Sequence, residues 1–182
     1  MKQVKKILVP TDLSEQSRRG LCYACSLAAE AKAGLVVLHV ASEFKAWELF
    51  SDDFGFLDPA LRTWPIDRVL GEAGLDLNRF LEPHLQLIKD VPTLTKRVVF
   101  GSIPDQISSL AAAERADLIV MSPRRHRSMR NFLNRSITER VSRISPCPVL
   151  SVNSPSPSPQ WRGRKAIPAF LGWSVPRPAT PL

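Results

Sequence analysis

The chain has 182 residues, of which 44% are hydrophobic and 23% are charged, as is typical of one soluble globular domain with a substantial core. Its formal net charge is +8, but four of these charges lie in residues 153–182, which leaves +4 for residues 1–152 and makes an anionic partner worth considering. No apolar run is long enough for a membrane span or an export signal, and three cysteines do not indicate a disulfide framework, so we expect a cytoplasmic protein.

The first part of the chain alternates short apolar runs with a helical pattern. Residues 7–9 (ILV) indicate a buried strand that Pro10 ends. Ser14 is a good N-cap for the following helix, and we expect Gly34 to end that helix. Residues 35–40 (LVVLHV) indicate a second strand that is apolar on both faces. Such runs are typical of a parallel sheet covered by helices on both sides.

The alternation continues after an irregular segment at residues 42–65. The predicted elements are a helix at 66–89 weakened by Gly71, Gly74 and Pro83, a strand at 96–100, a helix capped by Ser102, a strand at 117–121, a helix with a capping box of Ser136 and Glu139, and a strand at 148–152. Strands that alternate with helices imply a parallel sheet with right-handed crossovers. The pattern therefore predicts an α/β fold.

Residues 153–182 differ in composition from the rest. They begin with the Ser-Pro repeat NSPSPSPQ and hold seven of the chain's 16 prolines. We expect one domain over residues 1–152 and a basic, Pro/Ser-rich, flexible tail over residues 153–182. AIPAFLGW (166–173) is the only apolar piece of that tail. Because the tail has no amphipathic helical period, we expect no membrane binding.

MSPRRHRSMRNFLNRS (121–136) lies between a predicted strand and a predicted helix, which is a common layout for a phosphate site. Such loops are usually rich in glycine, but this one has none. Residues 124–143 contain seven arginines and one acid, a local charge of +6. Three interpretations stay open: a solvated basic surface, a phosphate site rebuilt with arginine side chains, and a surface for nucleic acid or another polyanion.

Several segments occur in the order and spacing of the universal stress protein family, which the chain resembles over residues 3–152. They are KKILVPTDLSEQS, VVLHV, VVFGSIPDQI, ADLIVMS and SITERVSRISPCPVLSV. The resemblance implies a three-layer α/β/α sandwich with a five-stranded parallel sheet, of the adenine nucleotide alpha-hydrolase-like type. It also implies a homodimer formed through the last strand, here Pro148 to Val152, and a regulatory role in stress tolerance without a defined catalysed reaction.

The resemblance also implies a candidate nucleotide site. Members that bind ATP use a loop of the form G-x2-G-x9-G-[ST]. In this sequence its glycines fall on Ser122, Arg125 and Arg135, and its hydroxyl falls on Ser136. Asp12, whose counterpart lies near the adenosine in members that bind nucleotides, is kept, and Pro10, Thr11 and Val40 occupy positions that flank the adenine. The residues expected near the adenine thus resemble those of members that bind ATP, whereas the loop expected at the phosphates has lost all three glycines.

Three functions follow from these residues. The first is a non-catalytic stress-response module without glycine-loop ATP binding. The second is a nucleotide-binding switch in which the side chains of Arg125 and Arg135 bind the phosphates. In that case the cofactor would be ATP with Mg. The third is polyanion binding through residues 124–143. We expect no enzyme beyond slow nucleotide hydrolysis and assign no catalytic or metal residue; Cys22 and Cys25 are expected to be packed, reduced thiols.

Overall fold

The computed structural model describes residues 3–42, 65–122 and 137–152. Their five strands are β1 (Lys6–Thr11), β2 (Gly34–Ala41), β3 (Leu94–Phe100), β4 (Leu118–Met121) and β5 (Val149–Ser151). All neighbouring strands pair in parallel, in the order β3-β2-β1-β4-β5. The α/β fold with a five-stranded parallel sheet is confirmed. Most of the predicted irregular segment and the whole tail lie outside the described residues.

Helices cover both faces of this sheet. They are α1 (Glu15–Ala31), α2 (Ile66–Leu81), a 3-10 turn (Glu82–His84), α3 (Leu85–Ile88), α4 (Ile103–Ala113) and α5 (Ile137–Ile144). One buried cluster joins α1, α2 and α3 to the sheet, and a second cluster joins α4 and α5 to its other face. Within the described ranges, no helix is both long and apolar enough to cross a membrane.

The central strand β1 is buried on both faces. Ile7, Leu8 and Val9 are at most 1% exposed. Ile7 and Val9 belong to the cluster under α1, and Leu8 belongs to the cluster under α4 and α5. This alternation is the period of two that a strand imposes on its side chains. It explains why an uninterrupted apolar run, rather than an alternating one, occupies the middle of the sheet.

Two predicted helix boundaries are wrong. The helix predicted over 66–89 ends at Leu81 and gives way to a 3-10 turn containing Pro83, since proline lacks an N–H and its ring clashes with the preceding turn. The first helix ends at Ala31, not at Gly34, because Lys32 takes the left-handed conformation (φ 53°) that closes it. Gly34 instead begins β2, where a Cβ would lie 2.6 Å from Thr93 Oγ1.

Two predicted N-cap residues lie at the predicted positions, but only one of them makes a capping hydrogen bond. Ser14 caps α1 as predicted, because its side chain accepts a hydrogen bond from the backbone N–H of Ser17. Ser102 occupies the N-cap position of α4, but its side chain makes no capping hydrogen bond. The predicted capping box before α5 depends on Ser136, which lies outside the described residues.

Charged side chains join the amino ends of the strands. Asp117 Oδ2 accepts hydrogen bonds from the backbone N–H groups of Lys5 and Lys6, at 2.9 and 3.1 Å. Glu114 accepts from Lys6 Nζ at 3.0 Å and from Arg97 Nη2 at 2.9 Å. The hydrogen bond from Lys6, and then that from Arg97, lowers the pKa of Glu114 against the opposing effect of its burial. Glu114 therefore ties β1 to the edge strand β3.

Replacing Glu114 with Gln should remove a pH-dependent part of the stability. Since folding lowers the pKa of Glu114, its contribution is present above the unfolded glutamate pKa of about 4.3 and is lost as the pH falls through the folded value. We expect Glu114→Gln to cost about 1 kcal/mol at pH 7, from two ion pairs that are partly exposed. In urea unfolding, this difference should shrink steadily below pH 4.3. Glu30→Gln, at an exposed position of α1, is the matched control. If the free energy of unfolding depended on pH in the same way in both variants, Glu114 would not be the source of this pH dependence.

Candidate functional site

The carboxyl ends of β1 and β4 meet at the point where the sheet reverses its order. The chain leaves β1 through α1 on one face, whereas the helices that precede and follow β4, α4 and α5, lie on the other face. In open parallel sheets this divergence leaves a crevice above the strand ends, and ligands bind there. The residues that follow β1, β2 and β4 are therefore the candidate site.

Hydrogen bonds between side chains and backbone fix the turn after β1. Thr11 is buried, and its Oγ1 lies 2.8 Å from Ser17 Oγ and accepts from Leu13 N–H at 3.0 Å. Leu13 itself adopts a positive φ of 62°. Asp12 Oδ1 accepts from Ser14 N–H at 3.1 Å and from Ser14 Oγ at 2.5 Å. This Asx turn holds an exposed carboxylate beside the N-terminus of α1.

His39 is a site residue that the sequence analysis did not include. It lies opposite Thr11 in the β1–β2 register and is 9% exposed. Its Nδ1 is 3.0 Å from the Thr11 carbonyl oxygen. Because a carbonyl can only accept, Nδ1 is the donor in this hydrogen bond. His39 stands out in the sequence as the single polar residue of LVVLHV. The sequence does not show that its partner is the Thr11 carbonyl on the neighbouring strand.

Ser122 follows β4 and occupies the first of the three lost glycine positions. Its Oγ is buried and has no hydrogen-bond partner among the described residues. A Cβ added at Gly20 of α1 would lie 2.7 Å from this oxygen, so the Ser122 side chain points beneath α1. A glycine in the helix thus makes room for the side chain that replaced a glycine in the loop.

The structure places five of the predicted site residues along one edge of the sheet. Pro10 and Thr11 end β1, Asp12 follows it, Val40 lies near the end of β2, and Ser122 follows β4. Val40 packs in the cluster under α4 and α5, whereas Thr11 contacts Ser17 of α1. Arg125, Arg135 and Ser136 lie outside the described residues, so the phosphate end stays a prediction.

The cysteines pack as weakly acidic thiols. Burial, and then the charge of Cys22, raises the pKa of Cys25 to about 12. Burial also raises the pKa of Cys22, whose Sγ lies 3.8 Å from His84 Nδ1, and that of Cys147. The described parts of the chain bring no three His, Cys, Asp or Glu side chains together as metal ligands. Because the thiolate is the reactive form, nucleophilic reactions of these thiols are disfavoured at neutral pH.

A depression of about 620 Å³ lies at the opposite, amino edge of the sheet. Gln3, Lys5, Lys6, Glu114, Arg115 and Asp117 line it. Lys6, Glu114 and Asp117 already bond to one another or to the backbone. We therefore assign this depression to the charged network that joins the strands, and not to the candidate site.

A five-stranded parallel sheet that is covered on both faces and reverses its strand order between β1 and β4 belongs to the doubly wound class of α/β folds. The sequence profile of the universal stress protein family matches residues 3–153. The chain belongs to the universal stress protein family.

Similar proteins agree with this assignment. Universal stress protein MJ0531 of Methanocaldococcus jannaschii is 28% identical over 162 residues, which cover 83% of each chain. The solved structure of the hypothetical protein MJ0577 has a TM-score of 0.62 at 23% identity and covers 84% of this chain and 98% of its own. A universal stress protein in complex with cAMP has a TM-score of 0.54 at 23% identity, with coverage of 84% and 98%. The two structures share the fold of this chain.

The contact between Gly20 and Ser122 predicts a strong coupling between these two positions. Gly20→Ala should destabilise the protein by about 1–2 kcal/mol, because overpacking outweighs the helix propensity of alanine. In a Ser122→Gly background the same change should be neutral or stabilising. Urea unfolding of the four proteins gives the coupling energy. Gly74→Ala, where a Cβ meets nothing within 4 Å, is the control. An equal cost for Gly20→Ala in both backgrounds would show that Ser122 does not lie beneath the helix.

The raised thiol pKa values predict slow alkylation of the native protein. With iodoacetamide at pH 8, we expect Cys25 to stay unmodified, because it is 1% exposed and its pKa is about 12. Cys22 and Cys147 should react slowly and faster as the pH rises, since their thiolates form only above the ordinary range. Mass spectrometry of peptides, with a urea-unfolded sample as the reference, measures each site. Equal rates for native and unfolded Cys25 would refute its burial.

Proposed function

We propose that this universal stress protein is a non-catalytic regulatory module that binds an adenine nucleoside monophosphate at the carboxyl edge of β1 and β4. The observation that carries the proposal is the Asp12 carboxylate, exposed at the switch point and held by Ser14. The proposal keeps the expectation that ATP is not bound through a glycine loop. It adds that the adenosine end of the site is functional.

The turn after β1 suits recognition of a ribose. A carboxylate accepts hydrogen bonds from vicinal hydroxyl groups, and an acidic residue plays this role in many dinucleotide-binding α/β folds. Asp12 Oδ1 already accepts two hydrogen bonds from Ser14, so the carboxylate is oriented before a ligand arrives. The bond from His39 to the Thr11 carbonyl holds the strand end below it. Pro10 and Val40 would then contact the base.

The phosphate end favours one phosphate over three. A glycine-rich loop holds a triphosphate with many backbone N–H groups that approach it closely. At the first glycine position this chain has Ser122, whose side chain is directed beneath α1. The sequence has arginine at the other two positions, and a single guanidinium can bind one phosphate through two hydrogen bonds. The similar protein solved with cAMP holds a nucleotide with one phosphate.

A homodimer through the last strand is the second part of the proposal. Among the described residues, β5 pairs only with β4, so its outer edge keeps backbone groups available for another strand. Ile137 and Ile144 of α5 are 42% and 48% exposed near this edge. A two-fold pairing of Pro148 to Val152 would cover these groups in both copies.

Calorimetric titration of nucleotide-stripped protein separates these functions. We expect AMP to bind in the micromolar range, and ATP to bind no more than about threefold tighter. Asp12→Asn keeps an acceptor for Ser14 but removes the charge, and it should weaken AMP binding about tenfold, or ~1.4 kcal/mol. Asp90→Asn, at an exposed position after α3, is the control.

Other outcomes identify the alternatives. ATP that binds a hundredfold tighter than AMP would mean that the arginines have rebuilt a triphosphate site. Binding of RNA that falls steeply with salt, without any heat from AMP, would favour the polyanion surface. No heat from either nucleotide up to millimolar concentration would refute the proposed ligand and leave a module that acts through protein contacts.

A further inference from the structure

The turn after β1 contains a left-handed residue at a place where no helix ends. Leu13 has a φ of 62°, a conformation that bulky side chains rarely adopt. Among the described residues, Lys32 and Arg115 are the other non-glycine residues with positive φ. Lys32 closes α1 and Arg115 follows the C-cap of α4, which are the usual positions for a left-handed residue. Leu13 instead precedes the N-cap Ser14, so its strained conformation needs another explanation.

The side chain and the N–H of Leu13 both have partners in this conformation. The side chain is partly buried and packs against the cluster that joins α1, α2 and α3 to the sheet. The N–H donates to Thr11 Oγ1 at 3.0 Å. A strained backbone conformation persists only where the surrounding structure determines it. The buried side chain therefore anchors Leu13 in the left-handed region.

A continuous chain of hydrogen bonds surrounds Leu13. Ser17 Oγ donates its only proton to the Ser14 carbonyl oxygen at 2.8 Å. The bond of 2.8 Å between Thr11 Oγ1 and Ser17 Oγ is therefore donated by Thr11. Thr11 and Ser17 are 7% and 6% exposed, so these bonds are shielded from water. The chain runs from Leu13 N–H through Thr11 and Ser17 to Ser14, and it fixes the backbone on both sides of Leu13.

Asp12 depends on this conformation because its partner, Ser14, lies on the other side of Leu13. Asp12 Oδ1 accepts from the N–H and from the hydroxyl of Ser14, at 3.1 and 2.5 Å. Rotation about the N–Cα bond of Leu13 moves Ser14 relative to Asp12, so a negative φ would change the geometry of both bonds. We propose that Leu13 is a positioning residue, whose anchored left-handed conformation orients the Asp12 carboxylate of the nucleotide site. This inference rests on the proposed binding of AMP at Asp12.

Two substitutions at Leu13 separate backbone conformation from packing. Leu13→Ala and Leu13→Gly both remove the anchoring side chain, but only glycine adopts a positive φ without steric strain. If the left-handed conformation orients Asp12, Leu13→Ala should weaken AMP binding about tenfold and Leu13→Gly no more than about threefold. A purely structural role predicts the reverse order, because glycine loses more packing and gives the unfolded chain more freedom.

Calorimetric titration with AMP measures the affinities, and urea unfolding checks that each variant is folded. Lys32→Ala and Lys32→Gly are the matched controls, since Lys32 has a similar φ of 53° just before β2 begins, away from the site. Neither control should change the affinity for AMP. Equal weakening by the two Leu13 variants, or greater weakening by glycine, would overturn the proposal.

Two larger apolar substitutions give the same comparison if a small variant does not fold. Leu13→Met keeps the anchor and should bind AMP within about twofold of the wild-type affinity. Leu13→Val also keeps an apolar side chain, but a β-branched residue opposes a positive φ more strongly, so it should weaken AMP binding about fivefold. Equal affinities of the methionine and valine variants would contradict the role assigned to the backbone of Leu13.

Hydrogen exchange without ligand separates failure of this inference from failure of the proposed function. The Ser14 amide, whose N–H is bonded to Asp12, should exchange about tenfold faster in Leu13→Ala and Leu13→Val than in Leu13→Gly and Leu13→Met. The same exchange rate in all four variants would overturn the role of Leu13, whether or not AMP binds. The expected pattern in a protein that binds no AMP would refute the proposed function and still support Leu13 as the residue that orients Asp12.

Discussion

The pairing of β1 on both of its sides is the constraint on which the rest of this structure depends. β1 bonds to β2 along its whole length and to β4 near its start, with its side chains buried against helices on both faces. The helices next to β1 and β4 lie on opposite faces of the sheet, and in parallel sheets such a divergence leaves a crevice at the carboxyl ends of the strands. The position of the candidate site is therefore a consequence of the sheet order and not of any single functional residue.

The site is built by side chains that organise backbone. Thr11 and Ser14 fix the turn that carries Asp12, while His39 holds the Thr11 carbonyl from the neighbouring strand. At the end of β4, the helix has the glycine, Gly20, and the residue after the strand has the side chain, Ser122, which occupies the space that Gly20 leaves. In the proposed complex, these contacts would orient the residues that bind the adenosine before the ligand arrives. The phosphate would be bound by arginine side chains and not by the backbone N–H groups of a glycine-rich loop.

Much of the fold could be predicted because its signals are local. Apolar runs such as 7–9 and 35–40 are short, continuous and separated by helical periods, and this combination has few solutions other than a covered parallel sheet. The end of α1 could not be predicted, because Lys32 accepts a left-handed conformation that sequence preference assigns to glycine. The roles of Gly20 and His39 depend on partners that are distant in sequence, Ser122 and Thr11, which no local pattern connects. The resemblance to the family identified Asp12, but only the structure shows how Ser14 orients it.

The most direct test of the proposed function is a titration of the ¹⁵N-labelled full chain with AMP, followed by two-dimensional amide spectra. Binding at the switch point predicts chemical-shift changes in residues 10–14, at His39 and its neighbours, and around Ser122, with little change at the amino edge near Lys5 and Arg115. Spectra that stay unchanged up to millimolar AMP, or shifts centred on Lys5 and Arg115, would contradict the account.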